Sequence, residues 1–259
     1  MSMLVGRQCA FHSGNDLFDD IVARLGSERH MIAITLNYDL LFEEALERAT
    51  RAFFYPRLTE KEETTAVPSG LGEVIPVYKL HGSINWFSAR SFSGSADLEI
   101  ARQNSHPVKL VNAGSMIASQ TYATYVPPGR LNAFYEWENG VVTSGPVAAI
   151  YGTGKLLLEN PEHVQAHRND CFDRLSRIDH ADVIAIGMRP VSVEDDPTTN
   201  ALIDRLSRLD GKKTYISPSV VDCKGFAALG FEVRQVGLET WIEELPNPAL
   251  NLTGLRPAG

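Results

Sequence analysis

Cysteine is scarce in this chain. Only Cys9, Cys171 and Cys223 occur among 259 residues, and no two of them form a C-x-x-C pair. An odd, scattered set of thiols gives neither a disulfide framework nor a four-cysteine zinc site, so no structural zinc is expected. Long apolar runs are also missing. None approaches the roughly 20 residues that cross a bilayer, and the opening "MSMLVGRQCAFHSG" lacks the apolar centre of a signal peptide. The expected location is therefore the cytoplasm, with no membrane role. There is no excess of basic charge either: 24 Lys and Arg stand against 32 Asp and Glu, a formal charge of -8. That balance disfavours the broad cationic surface on which direct nucleic-acid binding depends. No internal repeat and no low-complexity block interrupts the sequence.

What is present is an alternation of helical and strand patterns, with 44% hydrophobic residues to build a core. "NDLFDDIVARLG" has its apolar residues at helical spacing, with Ser13 or Asn15 placed to cap the start and Gly26 to stop it. "MIAITL" is a continuous apolar strand, and "DLLFEEALERATRAF" returns to helical period. "VIPVYKLHGSINWF" supplies a second strand. Residues 88–146 carry no sustained helical period and read as an irregular, partly β insertion. Beyond it come "VAAIY" (strand), "NPEHVQAHRNDCFDRLSRI" (helix), "DVIAIG" (strand), "PTTNALIDRLSRL" (helix), "KTYIS" (strand), "VVDCKGFAAL", "FEVRQV" (strand) and "LETWIEEL". This rhythm predicts an α/β fold built on a Rossmann-like, doubly wound parallel sheet over residues 1–245, followed by a flexible tail at 246–259.

Ligands of such sheets bind at the carboxyl ends of the strands, where the chain turns into a helix. Asn37, Asp39 and His81 all fall at such ends. Asn and Asp there also commonly cap the following helix, so capping competes with chemistry as their role. Two other patterns are decoys. "IYGTGKLLLE" has Ala149 and Leu156 where a P-loop needs Gly and Ser or Thr. "HVQAH" spaces His163 and His167 by one helical turn but has Val164 where H-E-x-x-H needs Glu, and reads as a solvated helix face.

Taken in order, "TLNYDLLFEEAL", "VYKLHGSINWF" and "ADVIAIGMRP" resemble three signatures of the sirtuin superfamily, in particular the prokaryotic sirtuin-like domains of antiphage defence. The resemblance runs from about Met31 to Ser217, excluding the insertion. It implies a sirtuin-like Rossmann domain that takes NAD as its substrate in an extended groove and breaks the nicotinamide glycosidic bond. It assigns Asn37 and Asp39 of the T-x-N-x-D pattern and His81 of K-L-H-G as catalytic, and Gly187 and Ser217 as cofactor-binding. Asp195 or Asp196 resembles the Asp before the family's next helix, although a capping role fits equally. The chain departs from the family twice. The two C-x-x-C pairs of deacetylase sirtuins are absent, which weakens a deacylase reading. The G-A-G phosphate loop is absent too: only Gly6 and Gly14 stand in the opening segment, so either the start is truncated or the site is altered. The resemblance thus implies an NAD hydrolase releasing nicotinamide and ADP-ribose in antiviral defence, acting with a defence-system partner protein or a second copy of itself. The alternative is a catalytically degenerate module that binds a nucleotide or a partner protein.

Overall fold

The computed structural model describes residues 16–25, 30–57, 74–83, 86–88, 106–108, 123–125, 162–190 and 196–245. The expected strand at 147–151, the tail at 246–259, Cys9, Gly6, Gly14, Gly26, Asp195 and both candidate caps of the first helix lie outside them. The chain divides into two compact units, residues 1–15 with 30–171 and residues 16–29 with 172–259.

In the first unit, strand β1 (Ala33–Thr35) leads through a short turn into helix α2 (Leu41–Arg48). Strands β2 (Phe53–Phe54) and β3 (Ile75–Lys79) follow. The sheet order is β1-β3-β2, with both pairings parallel and Thr35 opposite Lys79. All five residues of β3 are buried, as expected of the central strand of a parallel sheet. The predicted helix over "DLLFEEALERATRAF" is corrected at its end: it stops at Arg48, and Phe53–Phe54 form β2 instead. Thr50 takes a left-handed φ of 54°, which breaks the helix. Residues 52–56 beyond it are all buried, a continuous apolar run better served by the sheet than by one helix face. Burial of a Phe side chain contributes about 1.5–3 kcal/mol, more than the few tenths separating helical propensities.

Strand β4 (Trp86–Ser88), at the edge of the expected insertion, makes with β5 (His106–Val108) and β6 (Ala123–Tyr125) inside it a small antiparallel sheet of order β4-β6-β5. Helix α3 (Glu162–Ser176) supplies residues to both units.

The second unit opens with helix α1 (Asp16–Leu25), whose Ile21 and Val22 are buried and whose Arg24 guanidinium donates to the Leu245 carbonyl. Strands β7 (Val183–Ile186), β8 (Lys213–Ile216) and β9 (Glu232–Arg234) form a second parallel sheet in that order. Helix α4 (Pro197–Ser207) precedes β8, α5 (Val220–Ala228) links β8 to β9, and α6 (Leu238–Glu244) follows β9. Sequence punctuation sets the helix starts. Asp196 accepts the Thr199 N–H at 2.9 Å ahead of Pro197, and Ser219 accepts that of Asp222 at 3.3 Å. Asp196 is therefore a capping residue. Tyr215 stacks on Phe226 with ring centroids 3.8 Å apart, fastening α5 to the central strand. Two parallel sheets with helical connections are consistent with a Rossmann-like α/β fold.

Glu44, in the first turn of α2, carries a measurable consequence of this packing. Burial pushes its carboxyl up from 4.5 to about 7; Arg48 at 3.9 Å opposes the shift, while Glu47, Glu43 and Asp39 add to it. The folded protein therefore holds a proton that the unfolded chain releases above pH 4.5, so stability is lost as pH rises from 4.5 through 7. Glu44→Gln removes that loss, worth about 1–2 kcal/mol after solvent screening. Urea midpoints measured across this window should fall less in Glu44→Gln than in the parent and lie higher at pH 8. Coincident pH profiles would disprove the assignment.

Candidate functional site

The parallel pairing of β1 with β3 brings the two sequence motifs of the first unit to the same end of one sheet. Beyond Thr35 the chain continues into Leu36 and Asn37, and beyond Lys79 into Leu80 and His81. The Leu80 N–H reaches the Thr35 carbonyl at 3.1 Å and extends the ladder by one step. His81 Nδ1 then lies 3.1 Å from the Leu36 carbonyl. A carbonyl only accepts, so Nδ1 carries the proton of the neutral ring and Nε2 is the basic nitrogen. His81 is 8% exposed, and its ring lies 6.2 Å from that of Tyr38. Gly82 takes φ 87° and returns its N–H to the Lys79 carbonyl at 3.1 Å, a turn that strains any residue with a Cβ.

The competition between capping and chemistry resolves differently for the two members of T-x-N-x-D. Asp39 Oδ1 accepts the Leu41 N–H at 3.2 Å, at the start of α2, so its carboxylate does hold the helix. Asn37 is exposed, and its backbone N–H is taken by Thr35 Oγ1 at 3.0 Å. Among the described residues the Asn37 amide makes no capping bond.

Beneath these turns lies a polar network that the sequence reading missed. Lys79, fully buried, donates from Nζ to Glu43 Oε1 at 2.8 Å and to the Asp39 carbonyl. Tyr55 donates to the same Glu43 oxygen at 3.0 Å. One ammonium thus ties the strand that leads to His81 to the turn that carries Asn37 and Asp39. The signal was available: a lysine inside an otherwise apolar strand demands a buried anion, and Glu43 stands in the next helix.

The "HVQAH" reading needs correction. His167 is fully buried, its Nδ1 2.6 Å from the Pro56 carbonyl and its Nε2 accepting the Lys79 N–H at 3.0 Å. Both nitrogens of the neutral ring are spent on backbone, so His167 braces β3. Helical spacing placed the residue on a face of α3, and only the sheet beside it shows that face to be covered. His163 has no described side chain. On the same helix, Asp170 accepts from Tyr78 and from Arg57, each at 2.7 Å. Burial raises its carboxyl, and these bonds with the Arg57 charge outweigh that, holding it below the usual range. Arg168 Nε donates to the Leu80 carbonyl at 3.0 Å.

Gly187 and Ser217 belong to the second unit, at the ends of neighbouring strands β7 and β8. The Gly187 N–H reaches the Ile216 carbonyl at 2.9 Å, with φ 61°. Ser217 is buried, and its hydroxyl accepts the Ser219 N–H at 3.1 Å. Among the described residues no group of three or more His, Cys, Asp or Glu is placed to hold a metal ion, and no helix is long and apolar enough to cross a membrane.

A search of curated proteins gives no match. Comparison with protein families matches residues 31–116, the segment holding both strand-end motifs, to the SIR2-like domain. Over that segment, about a third of its length, the chain is similar to the SIR2-like domain.

Proposed function

We propose that the chain is an NAD hydrolase that cleaves the nicotinamide glycosidic bond to give nicotinamide and ADP-ribose. The SIR2-like match implies NAD use. The observation that supports the finer reading is the 3.1 Å contact between His81 Nδ1 and the Leu36 carbonyl, which suits Nε2 to act as base at the strand end that also carries Asn37. As nicotinamide departs, its ring nitrogen takes the bonding pair and positive charge builds on the ribose carbon. Water supplies the new C–O bond and gives up a proton. His81 Nε2 is the general base for that water or for a ribose hydroxyl, and Asn37 orients the water or the ribose hydroxyls. Asp39 keeps one carboxylate oxygen on the Leu41 N–H while its charge faces the developing cation or its other oxygen bonds the nicotinamide amide. Gly187 and Ser217 would contact the adenosine end. Such an activity, in the cytoplasm with a partner protein or a second copy, fits NAD depletion in antiphage defence.

The second reading is a catalytically degenerate module that binds a nucleotide or a partner protein. Incubating the purified chain with millimolar NAD and separating the products by chromatography distinguishes the two. Equimolar nicotinamide and ADP-ribose are expected, and unchanged NAD at high enzyme concentration, with its genomic neighbour added, would refute hydrolysis.

A further inference from the structure

The guanidinium of Arg168 is out of electrostatic balance. The residue is 6% exposed and permanently charged, yet only its Nε bond to the Leu80 carbonyl is accounted for. Nη2 is buried and has no hydrogen-bond partner among the described residues. Among the described residues no carboxylate pairs with it. Glu43 is committed to Lys79 and Tyr55, and Asp170 to Arg57 and Tyr78. A buried cation and an unmet N–H donor each cost free energy, and an anionic oxygen acceptor relieves both at once.

The donor's position says where that acceptor sits. Leu80 immediately precedes His81, so the unmet N–H lies one guanidinium's width from the backbone entering the His81 turn. We propose that Arg168 anchors a phosphate oxygen of the dinucleotide beside His81. Naming the dinucleotide rests on the NAD reading above; binding of a phosphate group to Arg168 does not.

The test uses the full chain, with sodium pyrophosphate and ADP-ribose as probes, adenosine as the phosphate-free control, and sodium chloride at matched ionic strength. At about 100 times the dissociation constant, either phosphate probe should raise the melting temperature by several degrees, whereas chloride and adenosine leave it unchanged. Calorimetric titration should show Arg168→Gln binding both phosphate probes about 10–100-fold more weakly, the value of one charge-assisted hydrogen bond. Should Arg168→Gln fail to fold, Arg168→Lys keeps the charge, loses the fork, and should still weaken binding about tenfold or more. In NAD cleavage the loss should fall mainly on KM. A parent protein that no phosphate probe stabilises overturns the proposal, as does a folded variant that binds as the parent does. Arg168-dependent pyrophosphate binding without NAD cleavage would sustain this site and refute the hydrolase reading instead.

Discussion

Asn37→Ala and His81→Ala are each expected to lower NAD cleavage by a factor of about 10² or more, because a positioned base alone contributes roughly 10²–10⁴. The two substitutions should act differently. His81→Ala removes Nε2 as base and with it the rise of rate with pH that its titration imposes, so its residual activity should be flat where the parent's is not. Asn37→Ala removes an orienting amide and should leave the shape of the pH profile unchanged. Neither should unfold the protein: Asn37 is exposed, and His81, whose Nδ1 lies on the Leu36 carbonyl, sits at the margin of the core. Comparing kcat and kcat/KM over pH 5–9, with circular dichroism to verify folding, decides the matter. Hydrolysis that persists at the parent's rate in both variants would show that the chemistry lies elsewhere.

How far these residues could be found from the sequence depends on the kind of contact involved. The strands before Asn37 and His81 were legible because β1 and β3 are apolar runs that stop abruptly on polar residues, and such runs have few other destinations in an α/β chain. The start of α4 was legible for a similar local reason, in Asp196 with Pro197. The end of α2 was not, because the left-handed turn at Thr50 and the sheet edge waiting for Phe53 are tertiary facts that override helical period. The same limit hid the support of the site. His167, Arg168 and Asp170 reach partners 88 to 113 positions away only in the sense that folding closes those gaps; nothing in "HVQAHRND" names Pro56, Lys79, Leu80 or Arg57. Polar groups at strand ends are advertised by local punctuation. The buried groups that hold them are advertised only by their oddity, as with one lysine in β3.

That lysine leads to the largest expected effect on stability. Lys79 and Glu43 are essentially without solvent contact and sit 2.8 Å apart, with Tyr55 closing the second bond to Glu43. A buried pair of this kind is weak evidence for net stabilisation, since the cost of removing two charges from water offsets most of their attraction. Breaking it is another matter. Glu43→Leu leaves the Lys79 ammonium buried with the Asp39 carbonyl as its remaining acceptor in this network, and leaves the Tyr55 hydroxyl without its acceptor there. Loss of about 3–5 kcal/mol is expected, enough to bring a domain of ordinary stability close to unfolding at room temperature. Replacing both partners, as Glu43→Leu with Lys79→Met, removes the stranded charge and should recover most of that loss. The double variant should nevertheless remain poor in NAD cleavage, because the Nζ bond that fastens the Asp39 turn to the strand leading into His81 is gone. Urea unfolding of the parent, both single variants and the double variant, closed as a thermodynamic cycle, measures the coupling directly. A Glu43→Leu variant within about 1 kcal/mol of the parent would mean that water or rearrangement reaches Lys79, and a double variant with full activity would mean that the ion pair contributes nothing to aligning Asn37 with His81.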